Sequence, residues 1–447
     1  MDGGRPGHPD LHLVGQEGDW QLFLPDGSRL YDIDGPAAGA ARAAMAGGDA
    51  GVRQFLNDHG LAGPPRIDDA PVTDPPVRAL SLAVAQACNL GCTYCYAQGG
   101  DFGAAPRAMA PETALAAVDL LLADAGPGDR VNLAFLGGEP LAARAVLQAA
   151  TRHAAARAAG RGIRIGFSIT TNGTLVGPAD GDFFEEFGFA VTVSLDGTRE
   201  RHDRLRPFRN GAGSFDRIMA NVAPLLARQR RMQVSARITV TPHNLDLPET
   251  LAAFVAAGFH SVGFSPLLAP PDPADGTALG PDGLAAMLAA MVACGRAFEA
   301  HAAAGRRYPF ANLLTALAEL HRGTHRPYPC GAGAGYLGVA AGGELAACHR
   351  FVGDPAGALG SLEAGIDRER RDAWLAERHV HRQSPCRGCW ARYLCGGGCH
   401  HEVLRSGRPA CDYVRGWLDY AIGAYGRLRR TAPALAPALF GTLPDAA

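Results

Sequence analysis

The sequence contains no lysine. All 42 of its Lys plus Arg residues are arginines, and 44 Asp and Glu residues offset them to a formal charge of -2. No basic block or stripe occurs, so the electrostatic footprint of a nucleic-acid or anionic-membrane partner is absent. We therefore predict neither partner, and we draw no mechanism from the missing lysine itself.

The sequence also lacks an uninterrupted apolar run of about 18 residues, which a transmembrane helix would need. Its first residues, "MDGGRPGHPDLHL", have neither the basic start nor the apolar run of a secretory signal. These absences predict a cytoplasmic protein. In that reducing compartment we do not expect the eleven cysteines to form disulfides. Ten of them fall into two groups, within residues 88–95 and 330–411, which indicates metal binding.

The length of 447 residues favours one large domain with satellites. Near the N-terminus, "LHLVGQ" and "WQLFLP" are typical of strands and precede Ala-rich helical sequence, and "GPPRIDDAPVTDPP" is typical of a linker. From residue 79 onward, six apolar strand candidates alternate with helices, which predicts a parallel sheet as an open sheet or a partial barrel. We expect five segments: a small α+β module (1–75), the sheet domain (79–270), a helical connection (271–325), a Cys-rich domain (326–425) and a tail (426–447).

Three thiols follow the first of these strands in "CNLGCTYC", at Cys88, Cys92 and Cys95. The carboxyl ends of strands are where active sites of α/β folds collect. A structural zinc would take four ligands, and no fourth lies nearby. A 4Fe-4S cluster held by three thiolates leaves one iron open for a substrate or cofactor. A chance thiol cluster or a partial zinc site is the alternative.

The CxxxCxxC spacing resembles that of radical SAM enzymes. The resemblance implies a partial (β/α)6 TIM-like barrel whose open iron binds S-adenosylmethionine (SAM). One electron then cleaves SAM to a 5'-deoxyadenosyl radical. Three strand-end motifs, "FLGGEP", "ITTNGT" and "VSLDG", occur in the order that this family requires.

By this resemblance, several residues are candidate SAM contacts. The "FLGGEP" loop matches the one that receives the methionine ammonium, and the other two motifs suit the ribose hydroxyls and the carboxylate. Tyr94 matches an aromatic residue expected near adenine, and Arg206 is the candidate for the SAM carboxylate, with Arg204 and Arg209 as substitutes. An ordinary buried aromatic is the alternative for Tyr94, and a strand-end turn for Asn172. The remaining candidates are Gly137, Gly138, Glu139, Pro140, Thr170, Ser194 and Asp196.

The C-terminal cysteines match the seven-cysteine pattern of a SPASM domain, which implies two auxiliary 4Fe-4S clusters and three clusters in all. By the family's ligation, the first would be held by Cys330, Cys348 and Cys399, and the second by Cys386, Cys389, Cys395 and Cys411. The first again has one ligand too few. Cys294, His321, His325 and His349 are conceivable fourth ligands, although a buried structural thiol is the simpler interpretation of Cys294. A zinc ribbon over residues 386–399 is the alternative.

Shorter segments, such as "CNLGCTYCYAQGGDFG" and "PCGAGAGYLGV", look most like maturases that install Cys thioether crosslinks in peptides. This resemblance implies a ribosomal precursor peptide or small protein subunit as substrate and an external donor of the flavodoxin or ferredoxin type. The N-terminal module would capture a leader peptide by β-augmentation, or else it is a packing extension of the barrel.

Other reactions on the same scaffold stay open: carbon-carbon or carbon-oxygen crosslinking, epimerisation, and oxidation of Cys or Ser to formylglycine. A non-catalytic iron-sulfur scaffold protein is the alternative of a different class. No general base is identified, although Asp354 and Glu402 lie near the cysteine motifs.

Overall fold

The structure is a computed structural model that describes residues 8–16, 18–67, 70–272 and 275–431. The chain divides into two compact units. We call residues 72–283 and 331–375 the core unit, and residues 1–71, 284–330 and 376–447 the second unit. The five segment boundaries drawn from the sequence stay predictions, and the expected tail lies outside the described residues from 432 onward.

The described residues form fourteen strands and fourteen α-helices, besides short 3-10 turns. The strands are β1 (His12–Gln16), β2 (Asp19–Leu24), β3 (Arg29–Ile33), β4 (Ala79–Gln86), β5 (Arg107–Ala108), β6 (Arg130–Gly137), β7 (Arg164–Thr171), β8 (Ala190–Ser194), β9 (Gln233–Val240), β10 (Ser261–Pro266), β11 (Tyr336–Val339), β12 (Glu344–Ala346), β13 (Ala358–Ser361) and β14 (Gly365–Ile366). The helices are α1 (Gly35–Ala46), α2 (Gly48–Asp58), α3 (Pro111–Ala123), α4 (Arg144–Ala159), α5 (Pro178–Phe187), α6 (Arg199–Leu205), α7 (Phe215–Arg228), α8 (Leu247–Ala256), α9 (Pro281–Ala303), α10 (Ala311–His321), α11 (Arg368–Arg378), α12 (Arg392–Cys395), α13 (His400–Ser406) and α14 (Cys411–Thr431).

The core unit is built on the six predicted strands, which are all parallel and lie in the order β10-β9-β8-β7-β6-β4. Their spatial order follows their order in the chain, whereas a doubly wound sheet would reverse at a switch point. The choice between an open sheet and a partial barrel is therefore settled in favour of the barrel type. The predicted mixed α/β fold is confirmed.

The middle strands β6 to β9 alternate between two environments, as β9 illustrates. Val234, Ala236 and Ile238 are buried, while Ser235 and Arg237 between them are more accessible. This period of two gives the sheet one apolar face, which packs, and one polar face. We call the polar face, together with the matching residues of the neighbouring strands, the open face. Its members are Ser168, Thr170, Thr192, Ser194, Ser235, Arg237, Thr239, Ser261 and Ser265.

The sheet continues beyond the predicted strands. β11 pairs in parallel with β4, and β12 to β14 extend it in antiparallel fashion. These short strands come from the Cys- and Gly-rich sequence after residue 330, where alternation was too brief to predict them. Residues of the expected Cys-rich segment therefore contribute strands to the core sheet.

The second unit contains the N-terminal sheet, in the order β1-β2-β3. Asp34 begins α1 as its N-cap by accepting from the backbone N of Ala37 at 2.8 Å. The sheet is fastened to C-terminal sequence: the ring of His12 stacks on Trp390 at 3.7 Å and bonds to Asp419 at 2.8 Å. The N-terminal strands therefore share one packed unit with the C-terminal helices.

One helix of the described residues, α9, is long and apolar enough by length and composition to cross a membrane, with a mean hydropathy of 1.4. The core helix of a soluble protein passes the same test. The buried positions of α9, among them Leu284, Met287, Met291 and Phe298, recur at helical spacing.

We predict that Arg371 contributes strongly to the stability of the core unit. It is 1% exposed, and its guanidinium donates to the carbonyls of Gly333 (2.8 Å), Pro75 (2.6 Å) and Ala334. In Arg371→Leu these carbonyls lose their donors, which should cost about 3 kcal/mol and lower the Tm by roughly 5–10 °C in thermal unfolding.

The matched control is Arg368→Gln. Arg368 pairs with Asp74 at 2.9 Å, but its side chain is 75% exposed, so the variant should change stability by less than about 0.5 kcal/mol. Equal Tm shifts in the two variants would contradict the role given to Arg371.

Candidate active site

The three thiols of Cys88, Cys92 and Cys95 lie on a loop that follows β4, as predicted. Backbone hydrogen bonds join this loop to the segment after α6. They run from Gly91 N to Pro207 O (2.8 Å), from Thr93 N to Leu205 O (3.1 Å) and from Arg209 N to Asn89 O (3.4 Å). The cysteine loop is thereby held against residues 205–209, which carry Arg206.

Arg209 reinforces this contact. Its Nε donates to the carbonyl of Cys88 and its Nη2 to the carbonyl of Gly99, each at 2.9 Å. The side chain that was a substitute candidate for the SAM carboxylate is therefore bonded to the cysteine loop. Arg204, the other substitute, is exposed.

The cysteine thiols are close enough to influence one another. Burial raises the pKa of Cys88, and Cys95 adds to the rise. Burial also raises the pKa of Cys92 to about 12, against the opposing charge of Arg206. Sulfur atoms gathered in this way would hold their protons unless iron compensated the charge of the thiolates. Asn172 Nδ2 is a donor 3.6 Å from Cys88 Sγ, the kind of hydrogen bond that tunes cluster sulfurs.

Close backbone packing surrounds Cys88. Gly100 has φ +102°, and a Cβ there would lie 2.6 Å from Cys88 Cβ and 2.8 Å from Gly138 Cα. A Cβ on Gly138 would lie 2.2 Å from the carbonyl O of Ala87. The bare glycine of the "FLGGEP" loop is therefore required by the protein's own backbone. Gly100 was missed by the sequence analysis, although the "GGDFG" run marks it.

The carboxylate of Glu139 is fully buried and bonded within the chain. It accepts from Asn172 N at 2.7 Å, Thr171 Oγ1 at 2.8 Å and Leu141 N at 3.0 Å. Burial raises its pKa, and these hydrogen bonds oppose the rise. A carboxylate has about four acceptor sites, so one stays available for a ligand. Gly137 ends β6 next to this group, and Pro140 begins the buried 3-10 turn that follows it.

Asn172 links the third strand end to the cysteine loop. Its Nδ2 donates to Asn89 Oδ1 at 2.9 Å, and its Oδ1 accepts from Thr174 N at 2.9 Å. The Asn172 side chain therefore forms the strand-end turn and also contacts the cysteine loop, so the structural and the functional interpretation both apply to it. Thr170, one strand position earlier on the open face, is half-buried and lies opposite Thr192 of β8.

Tyr94, Asp196 and Arg206 form a buried group between the cysteine loop and the end of β8. The Tyr94 hydroxyl donates to Asp196 and accepts from Arg206 Nη1 at 2.7 Å. Asp196 is fully buried and also accepts from Thr239 N at 2.9 Å. Arg206 Nε is buried without a hydrogen-bond partner among the described residues. The guanidinium beside the thiols therefore keeps a donor for an anionic ligand.

His202 helps to position this group through hydrogen bonds to Asp196 and Ser214. Its Nδ1 accepts from Asp196 N at 3.2 Å, and its Nε2 lies 2.9 Å from Ser214 Oγ. Because Ser214 donates its own proton to the carbonyl of Arg206 at 2.6 Å, His202 must donate through Nε2. Burial and then the charge of Arg206 lower the pKa of His202 to about 3, so the ring is neutral. The sequence analysis did not identify His202 or Ser214.

Four C-terminal cysteines also come together. Burial raises the pKa of Cys386 to about 11, and Cys395, Cys411 and Cys389 each add to the rise. These four are the set expected for the second auxiliary cluster. Cys399 lies in the second unit and Cys348 in the core unit, and Cys330 ends a stretch of the second unit, so the first auxiliary set stays a prediction.

The conceivable extra ligands have other contacts. Cys294 is fully buried within α9, as a structural thiol would be. His321 bonds to the Tyr425 hydroxyl at 3.0 Å, and His349 to the Tyr336 hydroxyl at 2.7 Å. His325 bonds to the carbonyl of Gly323 at 3.2 Å. The carboxylate of Asp354 caps a 3-10 turn, and Glu402 lies in the first turn of α13.

Within the part of the chain that the structure describes, none of the eleven cysteines forms a disulfide bond, and no three His, Cys, Asp or Glu side chains are grouped to hold a single metal ion. The parallel barrel with a three-thiol loop at its strand ends defines a class of iron-sulfur enzymes. Residues 82–265 match the Radical SAM superfamily, and this part of the chain is a radical SAM domain. The protein is accordingly a radical SAM enzyme, an oxidoreductase whose cofactors are SAM and 4Fe-4S iron-sulfur clusters.

Relatives of known activity and structure cover most of the chain. A "Serine-type anaerobic sulfatase-maturating enzyme" of Klebsiella aerogenes is 26% identical, over 77% of this chain and 85% of that protein. The structure "Native anSMEcpe with bound AdoMet and Cp18Cys peptide" is 20% identical, with a TM-score of 0.64 over 80% of this chain and all of that one. Streptococcus suis SuiB bound to precursor peptide SuiA is 14% identical, with a TM-score of 0.52 over 91% of this chain and 98% of that one. Both structures have this fold.

The residues present fit these cofactors. Cys88, Cys92 and Cys95 would hold the SAM-binding cluster, and Cys386, Cys389, Cys395 and Cys411 an auxiliary one. Arg206, with its buried and unbonded Nε, fits the SAM carboxylate. The remaining acceptor site of Glu139 fits the ammonium.

We predict that Gly100→Ala prevents assembly of the SAM-binding cluster, because the new methyl group would push Cys88 away from Gly138. Iron in the anaerobically reconstituted protein should fall by about a third, that is, by about four of roughly twelve atoms. Gly99→Ala is the control: Gly99 has φ +81°, but its Cβ would meet only an Arg209 nitrogen, at 3.5 Å. Equal iron loss in both variants would mean that backbone strain alone is responsible.

We further predict that Arg206→Gln weakens SAM binding at least about tenfold, because a charge-assisted pair with the carboxylate is lost. Equilibrium dialysis against reconstituted enzyme measures the Kd. Arg204→Gln, two residues away and exposed, should bind SAM as the parent does. Unchanged affinity in Arg206→Gln would remove Arg206 from the SAM site.

Proposed function

We propose that this enzyme is a maturase that oxidises one side chain of a peptide or small protein, and that its product is formylglycine. The observation that carries this is the 26% identity to a serine-type anaerobic sulfatase-maturating enzyme over 85% of that protein's length. A cysteine-type anaerobic sulfatase-maturating enzyme of Clostridium novyi, 31% identical over 33% of this chain, supports the same reaction.

When bound, SAM and its cluster supply a radical that abstracts a hydrogen atom. The chain's own residues bind and orient. Arg206 holds a carboxylate, and Asp196 and Tyr94 keep the guanidinium in place. His202 and Ser214 fix the backbone that carries Arg206 and Asp196. These side chains are largely buried, which excludes water from the reactive centre.

The open face of the sheet supports a peptide as substrate. It presents hydroxyls on four adjacent strands, for example Thr192 opposite Ser235, and Ser235 bonded to Ser261 at 2.8 Å. Such a surface offers donors and acceptors to main-chain amides, whereas an apolar substrate would leave the hydroxyls unpaired. The anSMEcpe structure with bound Cp18Cys peptide and the SuiB structure with bound precursor peptide SuiA are consistent with this substrate class.

Thioether crosslinking is the second candidate. The segment "CNLGCTYCYAQGGDFG" favours it by its resemblance to such maturases. The larger share of this chain that SuiB matches, 91% against 80% for anSMEcpe, favours it too. In this proposal an edge strand of the β1-β2-β3 sheet captures a leader peptide by main-chain hydrogen bonds. An external flavodoxin or ferredoxin would reduce the clusters, and cysteines that form no disulfide bonds suit a cytoplasmic location.

Mass spectrometry with two chemical probes separates these reactions. The reconstituted enzyme is incubated with SAM, dithionite and peptides encoded beside its gene, or with sulfatase-derived peptides that carry Ser or Cys. Formylglycine from Ser and a thioether both cost two hydrogens, whereas formylglycine from Cys also loses the sulfur. Only the aldehyde reacts with a hydrazide, and only the thioether consumes a thiol without producing an aldehyde. Epimerisation leaves the mass unchanged, and carbon-carbon or carbon-oxygen crosslinks leave the thiols intact.

We expect 5'-deoxyadenosine and a hydrazide-reactive product from the parent enzyme, and neither from a Cys88→Ala, Cys92→Ala, Cys95→Ala triple variant. Thiol loss without an aldehyde would favour the second candidate. Absence of 5'-deoxyadenosine from the loaded parent enzyme would refute both and favour a non-catalytic scaffold.

A further inference from the structure

The second unit contains a cavity that the proposed function does not use. It has a volume of about 550 Å³ and is lined by residues of β1, β2, α9 and α14. Small-molecule sites typically span roughly 300–1,000 Å³, so this cavity is large enough to hold a small ligand. Its lining combines an apolar side chain, Val14, with several charged ones.

Gly423 helps to keep this cavity open. It lies within α14, although glycine is less favourable than alanine in the interior of a helix. A Cβ at this position would lie 3.0 Å from Arg427 Nη1 and 3.7 Å from Val14 Cγ1, so a larger side chain would extend between α14 and β1. The missing side chain therefore leaves space for a ligand.

Arg296 lines the cavity and makes no hydrogen bond or ion pair with any described residue. Glu299, three positions further along α9, is the residue that would normally pair with it. The Glu299 carboxylate instead accepts from the Tyr420 hydroxyl at 2.5 Å and from Arg427 Nε and Nη2 at 2.8 and 3.0 Å. Because this carboxylate is already bonded to α14, the guanidinium of Arg296 stays available to an anionic ligand.

Gln21 lines the same cavity and lacks a donor. It is 2% exposed, and its Nε2 donates to Asp32 Oδ1 at 3.2 Å. This bond fixes the orientation of the amide, because an ionised carboxylate only accepts. The Oε1 atom is therefore a buried acceptor, and it has no hydrogen-bond partner among the described residues. Since an unsatisfied buried acceptor is unfavourable, a ligand with an N–H group would stabilise this side of the cavity.

Asp419 makes a positively charged donor the better match. It lines the cavity, its side chain is half exposed, and its Oδ1 lies 2.8 Å from His12 Nε2. Its Oδ2 makes no hydrogen bond within the described part of the chain. A carboxylate oxygen attracts an ammonium group more strongly than a neutral amide. The cavity therefore offers a cation for a carboxylate and acceptors for an ammonium.

We propose that this cavity binds a free α-amino acid with an apolar side chain. Arg296 pairs with its carboxylate, Gln21 Oε1 and Asp419 accept from its ammonium group, and its side chain packs against Val14. A simple carboxylate would leave the acceptors unsatisfied, and a simple amine would leave the guanidinium unpaired. Residues inside a peptide have lost both charges to amide bonds, so the site distinguishes a free amino acid from the proposed peptide substrate.

Anaerobic isothermal titration of the reconstituted enzyme tests this proposal. The enzyme is saturated with SAM, so that an amino acid does not occupy the SAM site instead. The probes are L-leucine, N-acetyl-L-leucine, which lacks the ammonium, and L-leucinamide, which lacks the carboxylate. Leucine should bind about tenfold or more tightly than either analogue, because each analogue loses one charge-assisted interaction. No saturable binding of leucine, or equal binding of leucine and either analogue, would overturn the proposal.

Two variants locate the binding site. Arg296→Gln should weaken leucine binding about tenfold or more and leave the Kd for leucinamide unchanged. Gly423→Leu should abolish leucine binding by filling the cavity, without lowering the Tm, because leucine is the better helix former. The matched control is Arg53→Gln, an exposed arginine of α2 in the same unit, which should bind leucine as the parent does.

A Kd for leucine that stays unchanged in Arg296→Gln or in folded Gly423→Leu would refute the assignment, as would an equal loss in Arg53→Gln. The Kd for SAM should be the same in all variants, which shows that the protein remains intact. Because no turnover is measured, failure of the proposed maturase function would not affect these results.

Discussion

The pairing of the cysteine loop with residues 205–209 is the contact on which the candidate site depends. The loop leaves the end of β4, and the partner segment follows β8 and α6, so these two parts of the chain are far apart in sequence. Their backbone hydrogen bonds, closed by the Arg209 side chain, bring the thiols, Tyr94, Asp196 and Arg206 into one place. Without this contact the barrel could still form, since its strands pair independently of the loop, but the thiols and the arginine would not meet.

Buried charge in the site is stabilised mainly by the chain itself. Glu139 accepts three hydrogen bonds from the protein, and Asp196 accepts from Tyr94 and Thr239. Ionised groups removed from water require such partners, because the desolvation penalty is several kcal/mol per ion. Motif residues that the sequence suggests as ligand contacts therefore also form hydrogen bonds that stabilise the protein itself. The hydrogen-bonding groups that stay available to a ligand are one acceptor site on Glu139 and the buried Nε of Arg206.

The sequence was sufficient to predict the parts of this structure that repeat or cluster. Six apolar strand candidates that alternate with helices predicted the parallel sheet, and the spacing of Cys88, Cys92 and Cys95 predicted a three-thiol loop at its carboxyl edge. Contacts between parts of the chain that are far apart in sequence could not be predicted. β11 is four residues long and pairs with β4, which lies more than two hundred residues earlier in the chain. The sequence around Gly100 and His202 likewise does not indicate which backbone segments these residues contact. Such residues act through distance and orientation, which local pattern does not encode.

Scaffold likeness cannot by itself separate the two candidate reactions. Formylglycine formation from Ser and thioether formation both begin with abstraction of a hydrogen atom and both remove two hydrogens in total, so the same barrel and the same SAM contacts serve either. The difference must lie in what the substrate presents beside the radical and in how it is held there. The relevant groups in the core unit are those of the open face, because they are accessible and polar. The side chains of the candidate SAM site are buried, and most of their hydrogen-bonding groups are already bonded within the chain. Substrate selection by the open face and product selection by the substrate's own Ser or Cys are therefore separable properties of this fold.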